Sequence, residues 1–207
     1  MDRFWLLTWS TYGTRLPGDK RGFVSSVREQ FDNHVIHNIP GTPVDEDLSA
    51  LTRYAKRIMK GDPILLKLSQ AEALLEQFTT TAQIRVWTLF AVGIMANHVH
   101  LVVGVPGDPP PSNILRDFKA YGSGKLNSTW GKPESETWWT ESGSKRKLPP
   151  PDGVLAAVRY VLNQEYPLLV WTSAIPELGL AGGILTEKEL AIFRTRNELP
   201  YTSRGEE

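Results

Sequence analysis

Cysteine is absent from all 207 residues. That removes disulfides, thiolate metal sites and a cysteine nucleophile. Net charge is missing too, because 23 basic residues balance 23 acidic ones. With no whole-molecule basic field, any contact with nucleic acid needs a local patch. No apolar run approaches the length of a membrane span, so no membrane partner is expected. The first residues, Met1-Asp2-Arg3-Phe4-Trp5, lack a basic region followed by a long apolar stretch. They argue against a secretory leader, and a cytoplasmic location is the default expectation.

What is present suffices for one good core, so one domain with decorations is expected. Phe4 to Trp9 reads as a strand. Tyr12 to Asp45 carries Gly and Pro without a sustained period and reads as a long excursion, with a short helix near Arg28 to His34. Asp47 to Met59 predicts a helix with Leu48, Leu51, Ala55, Ile58 and Met59 as its stripe. Ser69-Gln70-Ala71-Glu72 is a capping-box pattern, opening a helix that buries Ala71, Leu74, Leu75 and Phe78. Ile84 to Met95 reads as a strand, turned at Ala96-Asn97 into a second strand, His98 to Val105.

Ser112 or Asn113 caps a helix from Ile114 to about Asn127. Glu136 to Thr140 and Lys145 to Leu148 read as short strands, and Asp152 caps a helix to about Glu165. One weak helix is expected near Thr186 to Arg196. This order predicts an α+β domain with helices on one face of an antiparallel sheet.

The most informative motif is His98-Val99-His100 at the turn end of the hairpin. Strand alternation points both imidazoles to one face and Val99 and Leu101 to the other. Two neutral imidazoles so placed can hold a divalent metal. The pattern alone is more often structural than metal-binding. Downstream, Val154, Val158, Val161 and Leu162 form the buried stripe of the helix after Asp152, and Tyr160 and Gln164 share another face four residues apart. That pair can face a cleft, another subunit or water. A phenol is a poor nucleophile at neutral pH, but beside a metal and a phosphate it can form a covalent intermediate. The Gln164 amide oxygen can complete the coordination without adding charge. Magnesium or manganese is favoured as the divalent metal for phosphoryl chemistry.

Asn97-His98-Val99-His100-Leu101-Val102-Val103 together with Arg159-Tyr160-Val161-Leu162-Asn163-Gln164 resembles the HUH single-tyrosine transposases of small insertion sequences. The branch called REP-associated tyrosine transposases is the most similar. Trp5 to Thr14, Phe118 to Asn127 and Trp138-Trp139-Thr140 support the resemblance. It implies a ferredoxin-like α+β domain over 1–170, with the excursion near 12–45, and a C-terminal extension over 171–207. It also implies a homodimer that cuts and rejoins single-stranded DNA at hairpin ends through a 5′-phosphotyrosine. His98, His100 and Gln164 would be metal ligands and Tyr160 the nucleophile.

Other readings stay open. The chain could bind hairpin DNA without mobility, or hydrolyse DNA with a metal-activated water. Tyr121 shares a stripe with Ile114, Leu115 and Phe118 and reads as core; Tyr166 reads as an exposed helix-end residue. His34 and His37 are a weak second metal pair, and at least one of Trp138 and Trp139 should be core. Arg116, Lys119, Lys125, Lys145, Arg146 and Lys147 form either a DNA-binding patch or a solvated face.

Overall fold

The computed structural model describes residues 3–16, 26–28, 34–36 and 49–196. β1 is Arg3–Ser10, an aromatic and aliphatic run whose alternate side chains enter two different cores. β2 (Ser26–Arg28) and β3 (His34–Ile36) form a separate antiparallel pair with Arg28 opposite His34. The helix expected near 28–34 is thus corrected: both its ends are strand, and β-branched Val27, Val35 and Ile36 favour that state. His37 lies outside the described residues.

α1 (Ser49–Arg57) falls where a helix was expected, but Tyr54 and nearby Ile58 are exposed. Ala55 and Met59 of the expected stripe are half-buried, and Leu48 lies outside the described residues. α2 (Leu68–Arg85) starts before the expected box, because the Gln70 side chain accepts the Lys67 N–H at 2.9 Å. Ala71, Leu74, Leu75 and Phe78 are buried as predicted. The helix continues through Ile84, where a strand was expected, and Val86 ends it in the left-handed region at φ 56.

β4 (Thr88–Ile94) and β5 (His98–Val105) form the expected hairpin. α3 (Pro111–Trp130) begins earlier than predicted, since Pro111 presets the first helical φ and needs no N–H partner there. β6 is Ser144–Leu148, whereas 136–140 contributes only a bridge from Trp139 to Thr11. α4 (Asp152–Leu162) stops short of Glu165. β7 (Leu169–Thr172) and β8 (Gly183–Leu185) were not anticipated. α5 (Glu187–Arg196) was anticipated, and Thr186 and Glu189 cap it reciprocally.

The six-stranded sheet has the order β6-β1-β5-β4-β7-β8, antiparallel at each pairing. The expected α+β class holds, and β6-β1-β5-β4 with α2 and α3 is its ferredoxin-like part. α2 and α3 cover one face through Leu74, Phe78, Ile114 and Phe118. Helices on one face only is corrected, because α4 and α5 cover the other through Val158, Val161, Leu162 and Phe193. The physical reason is that central strands are apolar on both sides: Leu101 and Val103 face the first layer, Val102 and Ala91 the second. The 170/171 boundary falls inside β7, which pairs with β4, so the following residues complete this sheet. Among the described residues no helix is long and apolar enough to cross a membrane.

Candidate active site

His98 and His100 project from β5 onto the α4 side of the sheet. Their cross-strand partners on β1 are Ser10 and Thr8, and Gly93 of β4 lies opposite His100. A side chain at Gly93 would meet the Val161 methyl, since an added Cβ would lie 2.9 Å from Cγ1. Glycine there lets α4 lie close enough to bring its polar residues over the imidazoles. The two imidazole centroids are 4.8 Å apart, and Val99 and Leu101 are buried on the opposite face as alternation requires.

Each imidazole is held by a partner. Asn97 Oδ1 lies 2.6 Å from His98 Nδ1. A carbonyl oxygen can only accept, so Nδ1–H donates and Nε2 keeps its lone pair. Thr8 Oγ1 lies 2.7 Å from His100 Nδ1. Such partners fix ring orientation in metal sites. Burial chiefly, and then the Arg15 charge, lower the His98 pKa to about 4. Burial, the neighbouring His98 and Arg15 lower that of His100 to about 3, against a hydrogen bond to the Gln164 side chain that raises it. Both rings are therefore neutral at pH 7, the form that can coordinate a cation.

Tyr160 comes down from α4 onto this pair. Its ring centroid is 5.1 Å from that of His100, nearly edge-on at 79°. The residue is 47% exposed, so the phenol borders solvent. Gln164 lies just past the helix end, because α4 terminates at Leu162. Its Nε2 donates to the Tyr160 carbonyl at 3.0 Å. That leaves Oε1 for His100, which agrees with the pKa-raising contact, since an acceptor oxygen stabilises the imidazolium. The described residues contain no group of three or more His, Cys, Asp and Glu able to hold a metal. Two neutral imidazoles and one amide oxygen nevertheless form a neutral donor set suited to a divalent cation.

Three contributors escaped the sequence reading. Thr8 is a strand residue whose role exists only through its register with His100. Arg15 bears on both imidazoles from a turn that carries no motif. Arg194 of α5 donates to the Leu162 carbonyl at 3.1 Å and to the Gln164 carbonyl at 2.6 Å. It clasps the segment that leaves α4 and so fixes where Gln164 begins. No local signal in the sequence marks Arg15 or Arg194.

The basic residues divide between the two faces of the sheet and differ in their partners. Lys119 points inward, and its ammonium donates to the carbonyls of Thr140, Glu141 and Ser142 at 2.6, 2.8 and 3.3 Å. Burial lowers its pKa to about 8. Lys125 pairs with Glu76 at 2.8 Å, and Arg116 stands 3.7 Å from Asp117. Alternation splits the β6 run: Arg146 opposes Leu6 on the His100 side, while Lys145 and Lys147 oppose Leu7 and Trp5 on the other. Replacing Lys119 by Met should strand three carbonyl groups and cost about 2–3 kcal/mol. The check is a lowered urea midpoint with single-strand DNA affinity retained; the reverse outcome would make Lys119 a DNA contact.

The rival aromatics fall elsewhere. Tyr121, expected in the core, is 47% exposed with Arg85 over its ring, because Gly122 and Phe118 occupy the buried side of α3. Tyr166 is also exposed. Trp138 and Trp139 are both buried; their indole N–H groups donate to Asn127 Oδ1 and the Lys119 carbonyl. Trp130 is exposed. His34 lies on β3, well apart in sequence from the β5 pair.

Fold and geometry together define an α+β protein with a strand-borne His–x–His pair faced by a helical tyrosine and an amide. Residues 53–143, less than half of the chain, match the family described as "Transposase IS200 like". That segment contains both histidines and ends before α4. No curated protein matches it. One similar solved structure is a REP-associated tyrosine transposase bound to a REP hairpin, at 12% identity and a TM-score of 0.40. The match covers 77% of this chain and 64% of that one, so this chain spans under two thirds of its length. A second is a candidate transposase of Deinococcus radiodurans R1, at 14% identity and a TM-score of 0.42, covering 80% of this chain and 93% of that one.

Proposed function

We propose that this protein is a transposase that cleaves and rejoins single-stranded DNA with Tyr160 as its nucleophile. The observation that carries the reading is the convergence on His100 of Tyr160, Gln164 and His98 within a single chain. His98, His100 and Gln164 would hold a divalent cation, magnesium or manganese by preference. Bound there, the cation would polarise a phosphate oxygen of the DNA.

The chain's own residues do the rest. The Tyr160 oxygen bonds to phosphorus as the bond from phosphorus to the 3′-oxygen breaks. The phenol gives up one proton and the departing 3′-oxygen takes one, so the step balances. The product is a 5′-phosphotyrosine and a free 3′-hydroxyl. Attack by such a hydroxyl on the phosphotyrosine rejoins DNA without ATP, because the ester energy is kept. Thr8 and Asn97 hold the imidazoles in place through both directions. Hairpin DNA is the proposed substrate form, in keeping with what the REP-associated relative is described as binding. The homodimer implied by the resemblance is a separate proposal, since all four residues meet without a second copy.

The test is a denaturing gel of labelled single-stranded DNA incubated with the protein and manganese. A slow-migrating adduct, mapped by peptide mass spectrometry to Tyr160, is expected. A free 5′-phosphate product with no adduct would instead assign the reaction to an activated water.

A further inference from the structure

Arg15 follows a turn that borders the His motif, yet it belongs to neither that motif nor the tyrosine helix. The turn before it is fastened to the hairpin. Thr11 is fully buried, and its N–H donates to the Asn97 carbonyl at 2.9 Å. Its hydroxyl lies 2.6 Å from the Ile64 carbonyl, and the Thr14 hydroxyl lies 3.2 Å from the Asn97 carbonyl. Gly13 sits between them with φ 72, a conformation that glycine adopts without strain. Asn97 is the residue that orients His98. The turn carrying Arg15 is thus tied to the rim of the site at the residue before His98.

Arg15 is exposed and makes no ion pair among the described residues. A guanidinium at the rim of the pair weakens its hold on a bare cation. The donor set is neutral, and the described residues bring no cluster of carboxylates to offset a dication. A cation and a guanidinium side by side need an anion between them. A phosphodiester brings one negative charge and two free oxygens, which the planar guanidinium fork can engage together.

We infer that Arg15 is a substrate-binding residue that grips the non-bridging oxygens of a single-stranded DNA phosphate seated on the His98–His100 face. The inference rests on the proposed reading of that face as a DNA-phosphate site. Arg15 would draw the strand into register with the Tyr160 phenol, so it binds the reacting phosphate and not a distant part of the backbone.

The experiment uses the full chain, a fluorescent random-sequence 20-nucleotide single strand, and the variants Arg15→Gln, Arg15→Lys and Lys188→Gln. Lys188 is an exposed cation of α5, outside the site, and controls for simple loss of charge. Arg15→Gln is expected to weaken binding about tenfold and to flatten the salt dependence by about 0.7 in log–log slope, the share of one phosphate contact. Arg15→Lys should keep the slope and recover part of the affinity. Lys188→Gln should change neither. Without DNA, Arg15→Gln should bind Mn2+ alone about threefold more tightly, because a repelling charge has gone.

Wild-type affinity and slope in Arg15→Gln would overturn the inference, as would an equal loss in Lys188→Gln. Failure of the wild type to bind the strand at all would overturn it too. Arg15-dependent binding without a Tyr160 adduct would uphold Arg15 and defeat the proposed nucleophile. An adduct indifferent to Arg15 would do the opposite.

Discussion

Tyr160→Phe is expected to abolish the covalent protein–DNA adduct, slowing its formation by at least about ten-thousand-fold. The change deletes one oxygen and keeps the ring whose centroid lies 5.1 Å from that of His100. Single-strand affinity should therefore change by less than about twofold, and stability by no more than about 0.5 kcal/mol, since the residue borders solvent. This split between binding and chemistry is the signature of a nucleophile. A denaturing gel and a binding isotherm on the same preparation check it. Persistence of the adduct would move the nucleophile to Tyr121 or Tyr166, both exposed.

His100→Ala strikes the point where the site converges, because this imidazole meets Thr8, Gln164, His98 and Tyr160. Calorimetric titration should show Mn2+ binding weakened by about a hundredfold or more, as removal of a ligand exceeds removal of a supporting partner. Under the proposed reading adduct formation should fall by about a thousandfold, because His98 and Gln164 alone would hold the cation too weakly to position the phosphate.

The same variant reports on acid stability, measured with the metal chelated. In the folded chain His98 and His100 titrate at about 4 and about 3, against 6.5 for an ordinary histidine. Below 6.5 the unfolded chain takes up protons that the folded chain refuses. Stability contributed by the two neutral rings is fully present above 6.5 and is lost as pH falls towards 4 and then 3. His100→Ala removes one of the two groups, so its urea midpoint should fall less steeply between pH 6.5 and 4.5. Parallel slopes for variant and wild type would contradict the neutral, buried state of His100.

Much of the framework was readable along the chain. The hairpin was legible because β-branched and apolar residues flank a two-residue turn, and the side to which His98 and His100 point follows from alternation alone. The α4 stripe of Val154, Val158, Val161 and Leu162 was equally plain, and all four are buried. Failures came where local preference gave way to packing. Ile84 looks like a strand residue but rides the end of α2, since Ala82 and Phe78 already anchor that helix. Leu169 to Thr172 has no turn or period to announce it, and becomes a strand because β4 offers a free edge. Lys119 looked like a surface cation, yet three carbonyls converge on it from a segment more than twenty residues away.

The sequence by itself singled out the side chains proposed to carry the chemistry. Two imidazoles a residue apart on a strand, and a phenol and an amide four apart on a later helix, are local facts set by backbone periodicity. Tertiary structure alone decided that they meet. That required a sheet apolar on both faces, so that α4 could take the side opposite α2 and α3, and a glycine opposite His100 to admit Val161. It also decided the supporting cast of Thr8, Arg15 and Arg194, whose positions depend on register and long-range packing that no short stretch of sequence encodes.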